Sequence, residues 1–207
     1  MWTRRVSRFV CLLGVGLALS YLPAPGAEPT DKKDEKKIDL QVGDPAPGFE
    51  ARSDGNATWK SSARFGKKWV VVYFYPGDFT PGCTAQARAF RGVMHELDER
   101  GVEVVGVSGD SVATHDLFKK DQDLNFPLLA DEEGTLAKKF GVPFGPGGKA
   151  RGKDAAGKPI EIERAGTAAR WTFLVGKDGK IAYKNTKSLP AEDAKKILEF
   201  VAAADAK

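Results

Sequence analysis

Cysteine is nearly absent from this sequence. The 207-residue chain has two, Cys11 and Cys83, and the first lies inside a short apolar run near the N-terminus. What remains carries a single thiol, which excludes an intramolecular disulfide framework there. Dithiol oxidoreductases and two-cysteine copper chaperones are excluded as well, because Cys83 is followed by Thr84, Ala85, Gln86 and Ala87. Histidine is equally scarce. His95 and His115 have no second His or Cys at ligand spacing, so both read as helix-surface residues, with no metal site and no cofactor expected. No apolar run reaches the roughly 20 residues that a membrane helix needs. An excess of one charge is missing too: of the formal +4, three units are Arg4, Arg5 and Arg8, in a segment (1–27) without Asp or Glu. Removing them leaves +1, which gives no electrostatic reason to expect a nucleic-acid partner.

What is present begins with "MWTRRVSRFVCLLGVGLALSYLPAPGAEPT": a basic start, an apolar stretch from Phe9 to about Leu22, and small residues before Glu28. This is the layout of a secretory signal peptide over 1–27, with cleavage expected near Ala27. It implies an exported protein, periplasmic or secreted, without stable membrane association after cleavage, the alternative being a short uncleaved anchor. The twin arginine of "TRRVS" also allows twin-arginine export, although Ser7 stands where an apolar residue would strengthen that signal. Residues 28–41 mix charges without periodicity and read as a flexible tether. A single domain is expected over 42–207, as a hydrophobic content of 42% with 29% charged residues is that of a globular chain.

Within that domain "KKWVVVYFYP" reads as a strand buried on both faces. From Pro81 to about Arg100 the pattern turns helical, with Phe90, Val93, Met94 and Leu97 three and four residues apart and Gly101 as a stop. "VEVVGVSGD" is a second buried strand, and "SVATHDLFKKDQ" a helix capped by Ser111. "FPLLAD" predicts a short strand, "EEGTLAKKFG" a short helix, "RWTFLVGKDGKIAYK" a hairpin, and "PAEDAKKILEFVAAA" a closing helix. Residues 143–169, rich in Gly, Pro and charge, read as an insertion loop with one hairpin arm at "PIEIE", mobile in its Gly-rich part. Helices between buried strands, then a terminal hairpin, predict an α/β protein of thioredoxin-like fold, a central mixed sheet with helices on both faces.

A thiol in the first turn of a helix faces unsatisfied amides and the positive end of the helix dipole, which favour the thiolate. Cys83 occupies that place if Thr80 is the N-cap and Pro81 the first helical residue, with the Thr80 hydroxyl accepting from the Cys83 amide. The same residues also suit a purely structural helix start with a packed thiol. Cys83, Phe90, Met94 and Leu97 recur at helical spacing, which turns the thiol inward beneath a loop formed by Pro76, Gly77 and Asp78.

"PGDFTPGC", residues 76–83, resembles the Pro-x-x-x-Thr-x-x-Cys motif of the peroxiredoxins of the AhpC/TSA superfamily, and "YFYPGDFTPGCTAQ" is most similar to the bacterioferritin-comigratory, or Q-type, group. "VVGVSGDS", "FPLLAD" and "RWTFLVGKDGKI" extend the likeness over the domain apart from 143–169. The resemblance implies a peroxidase in which Cys83 attacks a peroxide oxygen and becomes a sulfenic acid. By the same resemblance Thr80 hydrogen-bonds substrate and thiolate, Pro76 shields the sulfur, and Arg170 stabilises the thiolate and the departing oxygen. Gln86 is placed to brace Arg170, while Arg88 reads as a surface residue.

One departure matters. Many Q-type proteins have a resolving cysteine five positions after the peroxidatic one, and here that position is Arg88. The expected partners are therefore a peroxide and an external thiol reductant, a small thiol or a thioredoxin-like protein, acting on a monomer or homodimer. A redox sensor signalling through a Cys83 sulfenate, or a non-catalytic binding module of the same fold, is the alternative.

Overall fold

The computed structural model describes residues 38–206; the expected signal peptide and most of the charged tether lie outside them. Two short strands, β1 (Glu50–Arg52) and β2 (Thr58–Lys60), form a hairpin ahead of β3 (Trp69–Phe74). The long helix α1 (Pro81–Glu99) follows, then β4 (Val102–Ser108), α2 (Val112–Gln122), β5 (Leu128–Ala130) and α3 (Thr135–Phe140). Next come β6 (Phe144–Lys153), β7 (Pro159–Ala168), β8 (Trp171–Val175), β9 (Ile181–Asn185) and α4 (Asp193–Asp205).

The main sheet has the order β5-β4-β3-β8-β9. β3 pairs parallel with β4 and antiparallel with β8, so the apolar run read as a central strand is central. Its alternation feeds two cores: Val71 and Tyr73 join Phe90, Met94 and Leu97 of α1 and Ile197 and Val201 of α4. Val70, Val72 and Phe74 join Leu136 and Phe140 of α3 with Phe49 and Trp59 of the β1–β2 region. Each such aliphatic or aromatic side chain removed from water contributes on the order of 1.5–3 kcal/mol, which is why this strand fixes the layers. The fold is the α/β, thioredoxin-like arrangement expected, with helices on both faces of a mixed sheet.

Two expectations need correction, and one element was not anticipated. The 143–169 segment is an ordered antiparallel hairpin with two full arms, running in register from Phe144↔Ala168 to Lys153↔Pro159. Its first arm, "FGPGGKARGK", hides its strand character behind four glycines, of which Gly147 and Gly152 lie against other backbone; a Cβ on Gly152 would come within 2.1 Å of the Phe79 carbonyl oxygen. The β1–β2 hairpin was not legible in the sequence. The last residues of the supposed tether lie against the domain, with Leu40 packed on the second core and Lys184 Nζ donating to Asp39 Oδ1 at 2.7 Å.

Candidate active site

The end of β3 delivers the chain into Tyr75–Thr80, and α1 starts at Pro81 with Thr80 as N-cap. Cys83, in the first turn, is 1% exposed and shares the inward face with Phe90, Met94 and Leu97. Arg170, the residue before β8, donates from Nη2 to Cys83 Sγ at 3.1 Å. Its Nη1 donates to Gln86 Oε1, and Gln86 Nε2 donates to Asp193 Oδ2 at 2.7 Å. Thr172 Oγ1 donates to that same carboxylate oxygen at 2.6 Å and accepts from Ser188 Oγ at 3.1 Å. A buried carboxylate at the start of α4 thus orients an amide, the amide orients a guanidinium, and the guanidinium sits on the sulfur. The polarity of each bond fixes the next, so Arg170 has one stable pose.

Thr80 does not cap α1 through its side chain, contrary to expectation. Its hydroxyl donates instead to the Gly77 carbonyl at 3.0 Å, tightening the loop that precedes the helix. Pro76 is half-buried at the head of that loop. Of the residues singled out from sequence, Cys83, Arg170 and Gln86 form one bonded set, while Thr80 and Pro76 shape the adjoining loop.

A second buried network holds the loop from the other side, and sequence reasoning missed it. Tyr75 Oη donates to Asp78 Oδ1 at 2.7 Å, and His115 Nδ1 lies 2.8 Å from Asp78 Oδ2. His115 is therefore fully buried, not a helix-surface residue. It shares the inward face of α2 with Phe118, three residues on, a spacing that would have flagged it. Burial alone lowers the pKa of His115, but the Asp78 carboxylate, its hydrogen bond and Asp110 outweigh this and the net shift is upward. Burial, then the Asp78 charge, holds the Tyr75 phenol well above its ordinary value, so it remains the donor.

Arg164 of β7 joins this network to the hairpin. Its Nη2 donates to the Asp78 carbonyl at 3.0 Å, Nη1 to the Pro76 carbonyl at 3.4 Å, and Nε to Asp110 Oδ1 at 3.2 Å. Asp110 Oδ2 in turn accepts the Asp78 amide at 2.8 Å. A Cβ on Gly77 would fall 2.2 Å from the Arg164 guanidinium carbon, so glycine is required for the arginine to enter. Between these anchors Phe79 has φ 60°, a strained value for a bulky residue, while its ring packs edge-on against Phe118. The hairpin covers it: the Lys153 amide donates to the Phe79 carbonyl at 3.4 Å.

These features define a thioredoxin-like thiol protein, with one buried cysteine at a helix start held by an arginine from the strand entry opposite. The chain belongs to the AhpC/TSA family, whose model matches residues 42–184. It is 38% identical over 146 residues to a putative peroxiredoxin bcp of Coxiella burnetii, covering 70% of this chain and 87% of that protein. It is 48% identical over 105 residues to a putative chloroplastic peroxiredoxin Q of Oryza sativa subsp. indica, covering 50% of this chain. There the match spans 48% of the relative, so the chain covers about half the length of the first curated relatives. Among solved structures, the Xanthomonas campestris bacterioferritin comigratory protein, studied for alkyl peroxide reduction, aligns with TM-score 0.63 and 30% identity over 80% of this chain and 97% of that one.

Proposed function

We propose that the protein is a thiol-dependent peroxidase that reduces hydrogen peroxide and organic hydroperoxides at Cys83 by a one-cysteine cycle. The observation that carries this reading is the Arg170 guanidinium at 3.1 Å from Cys83 Sγ, braced through Gln86 by Asp193. In the cycle the Cys83 thiolate attacks the nearer peroxide oxygen and the O–O bond breaks. The sulfur becomes a sulfenic acid, and the departing alkoxide or hydroxide takes a proton to leave as alcohol or water. Arg170 stabilises charge on sulfur and on the leaving oxygen, and Thr80 exchanges its Gly77 acceptor for a substrate oxygen. Pro76 keeps water from the sulfur.

With Arg88 at the fifth position after Cys83, an outside thiol must complete each turnover. The basic and apolar pattern of residues 1–27 supports action outside the cytoplasm.

Treating the reduced protein with one equivalent of hydrogen peroxide and then dimedone tests the reading by mass spectrometry. A dimedone adduct at Cys83, absent from Cys83→Ser, is expected; an unmodified thiol after peroxide sinks it. Stopped-flow loss of peroxide no faster than with a free small thiol would do the same.

A further inference from the structure

Beside the first turns of α1 lies a groove of about 680 Å³, a volume suited to a small molecule. One wall is the helix face bearing Pro81, Thr84 and Arg88; the other is the far end of the β6–β7 hairpin, with Arg151, Lys153 and Asp154. Three cations and one carboxylate thus line it, Asp154 Oδ1 already engaged by the Lys158 amide at 2.8 Å, while Asp121 at its border accepts the Ala155 amide at 2.9 Å. Among the described residues Arg88 meets a neutral group, its Nε donating to Gln122 Oε1 at 2.7 Å. Arg151 is offset by Glu161, its Nε 3.5 Å from Oε2. Lys153 has no carboxylate within ion-pair distance among the described residues.

The groove is placed for the second half of the reaction. Thr84, next in sequence to Cys83, lines it, and Pro81 forms its edge. Cys83 itself is buried, so a thiol reaches it only when this first turn opens. Two features lower the cost of that opening: α1 has no side-chain N-cap bond, and the strained Phe79 precedes it by two residues.

We propose that this groove docks a small anionic thiol, one bearing carboxylates, as the reductant of Cys83. The inference rests on the peroxidase reading above and names the co-substrate class for it. Arg88 and Lys153 hold the carboxylates while the thiol sulfur attacks the Cys83 sulfenic acid. An S–S bond forms, the S–O bond breaks, and the hydroxyl leaves as water with the incoming thiol's proton. A second molecule of the same thiol attacks the small-thiol sulfur of the mixed disulfide, releasing a symmetrical disulfide and the Cys83 thiolate. Two thiols are oxidised for each peroxide reduced.

The test compares 3-mercaptopropionate, 2-mercaptoethanol and cysteamine, anionic, neutral and cationic, as reductants of the protein pre-oxidised with one equivalent of peroxide. Quench-flow mass spectrometry reads formation of the Cys83 mixed disulfide, with rates expressed per thiolate. The anionic thiol should lead the cationic one by about tenfold, and about 1 M salt, where the Debye length is near 3 Å, should erase most of the difference. The Arg88→Gln/Lys153→Gln protein should lose that preference to within about twofold, whereas Arg88→Lys/Lys153→Arg keeps it; this separates the groove from any general effect of Arg170. Equal rates for the three thiols, a preference that survives the double glutamine substitution, or reduction by thioredoxin with no reaction of small thiols would each overturn the proposal. The same comparison on Cys83 activated as a pyridyl disulfide reads docking without peroxide, so absence of a sulfenate counts against the peroxidase and not against the groove.

Discussion

Removing the Arg164 guanidinium, as in Arg164→Met, should be among the most damaging changes available outside the thiol site. The substitution deletes two hydrogen bonds to loop carbonyls, those of Pro76 and Asp78, and leaves Asp110 buried without its cation. Breaking a buried ion pair by removing one partner costs roughly 3–5 kcal/mol. Asp110 has a partial escape, because burial and then the Asp78 charge already raise its pKa, so the loss should shrink in acid as this carboxyl takes up a proton. For a domain of this size about 2–4 °C in Tm accompanies each kcal/mol, so the expected fall at neutral pH is roughly 6–20 °C. Urea denaturation of Arg164→Met, Asp110→Asn and the double variant forms a cycle that isolates the pair. A coupling energy above about 1 kcal/mol is expected for groups in direct contact. Peroxide reactivity should also drop, by about 10- to 100-fold, since small displacements near a reacting atom have costs of that order. A loss of stability under about 1 kcal/mol, or strictly additive effects in the cycle, would refute the view that the hairpin holds the loop.

Three further outcomes are expected. Arg170→Ala should slow sulfenate formation in stopped flow by about 10²- to 10³-fold, the usual consequence of removing one donor from a developing negative charge, with Arg170→Lys intermediate. Gln86→Met should cost about 1–3 kcal/mol in denaturant unfolding, because it removes the amide that donates to the buried Asp193 carboxylate, and should also slow peroxide reduction through a loosened Arg170. His115 has a folded pKa above its unfolded value, so its protonation stabilises the fold fully below about pH 6.5, and that contribution is lost as pH rises through the folded pKa. Urea titrations across this window should show stability declining in the native protein, and His115→Gln should flatten the decline; an identical slope in the two proteins would contradict the assignment.

The central place of β3 and the long helices were legible in the sequence because they rest on local patterns, such as the β-branched run of β3 and the three-and-four spacing of α1. Cys83 and Arg170 were legible as residues through the family resemblance, and Gln86 came into view only as one possible partner of Arg170 from its place three residues after Cys83. Asp193 was not: in "PAEDAKK" it sits among charges that look solvated, and only the packing of α4 against α1 turns it inward. Arg164 was hidden for a similar reason, since "IEIERAG" reads as an exposed alternating strand until the hairpin folds back over Gly77. The expected Thr80 side-chain cap is not made because the hydroxyl is turned back to donate to the Gly77 carbonyl, a local partner that no spacing rule weighs.

The chain of groups behind Cys83 also fixes when the site comes into being. Arg170 follows Cys83 by 87 residues, and Asp193 follows Gln86 by 107. Chains are made from the N-terminus, so the thiol leaves the ribosome long before the guanidinium that holds it and the carboxylate that aims that guanidinium. An unfinished or truncated product would carry an ordinary cysteine with no Arg170 beside it. On the peroxidase reading, reactivity is thereby tied to the making of α4, more than a hundred residues after the thiol, and a nascent Cys83 is not yet armed.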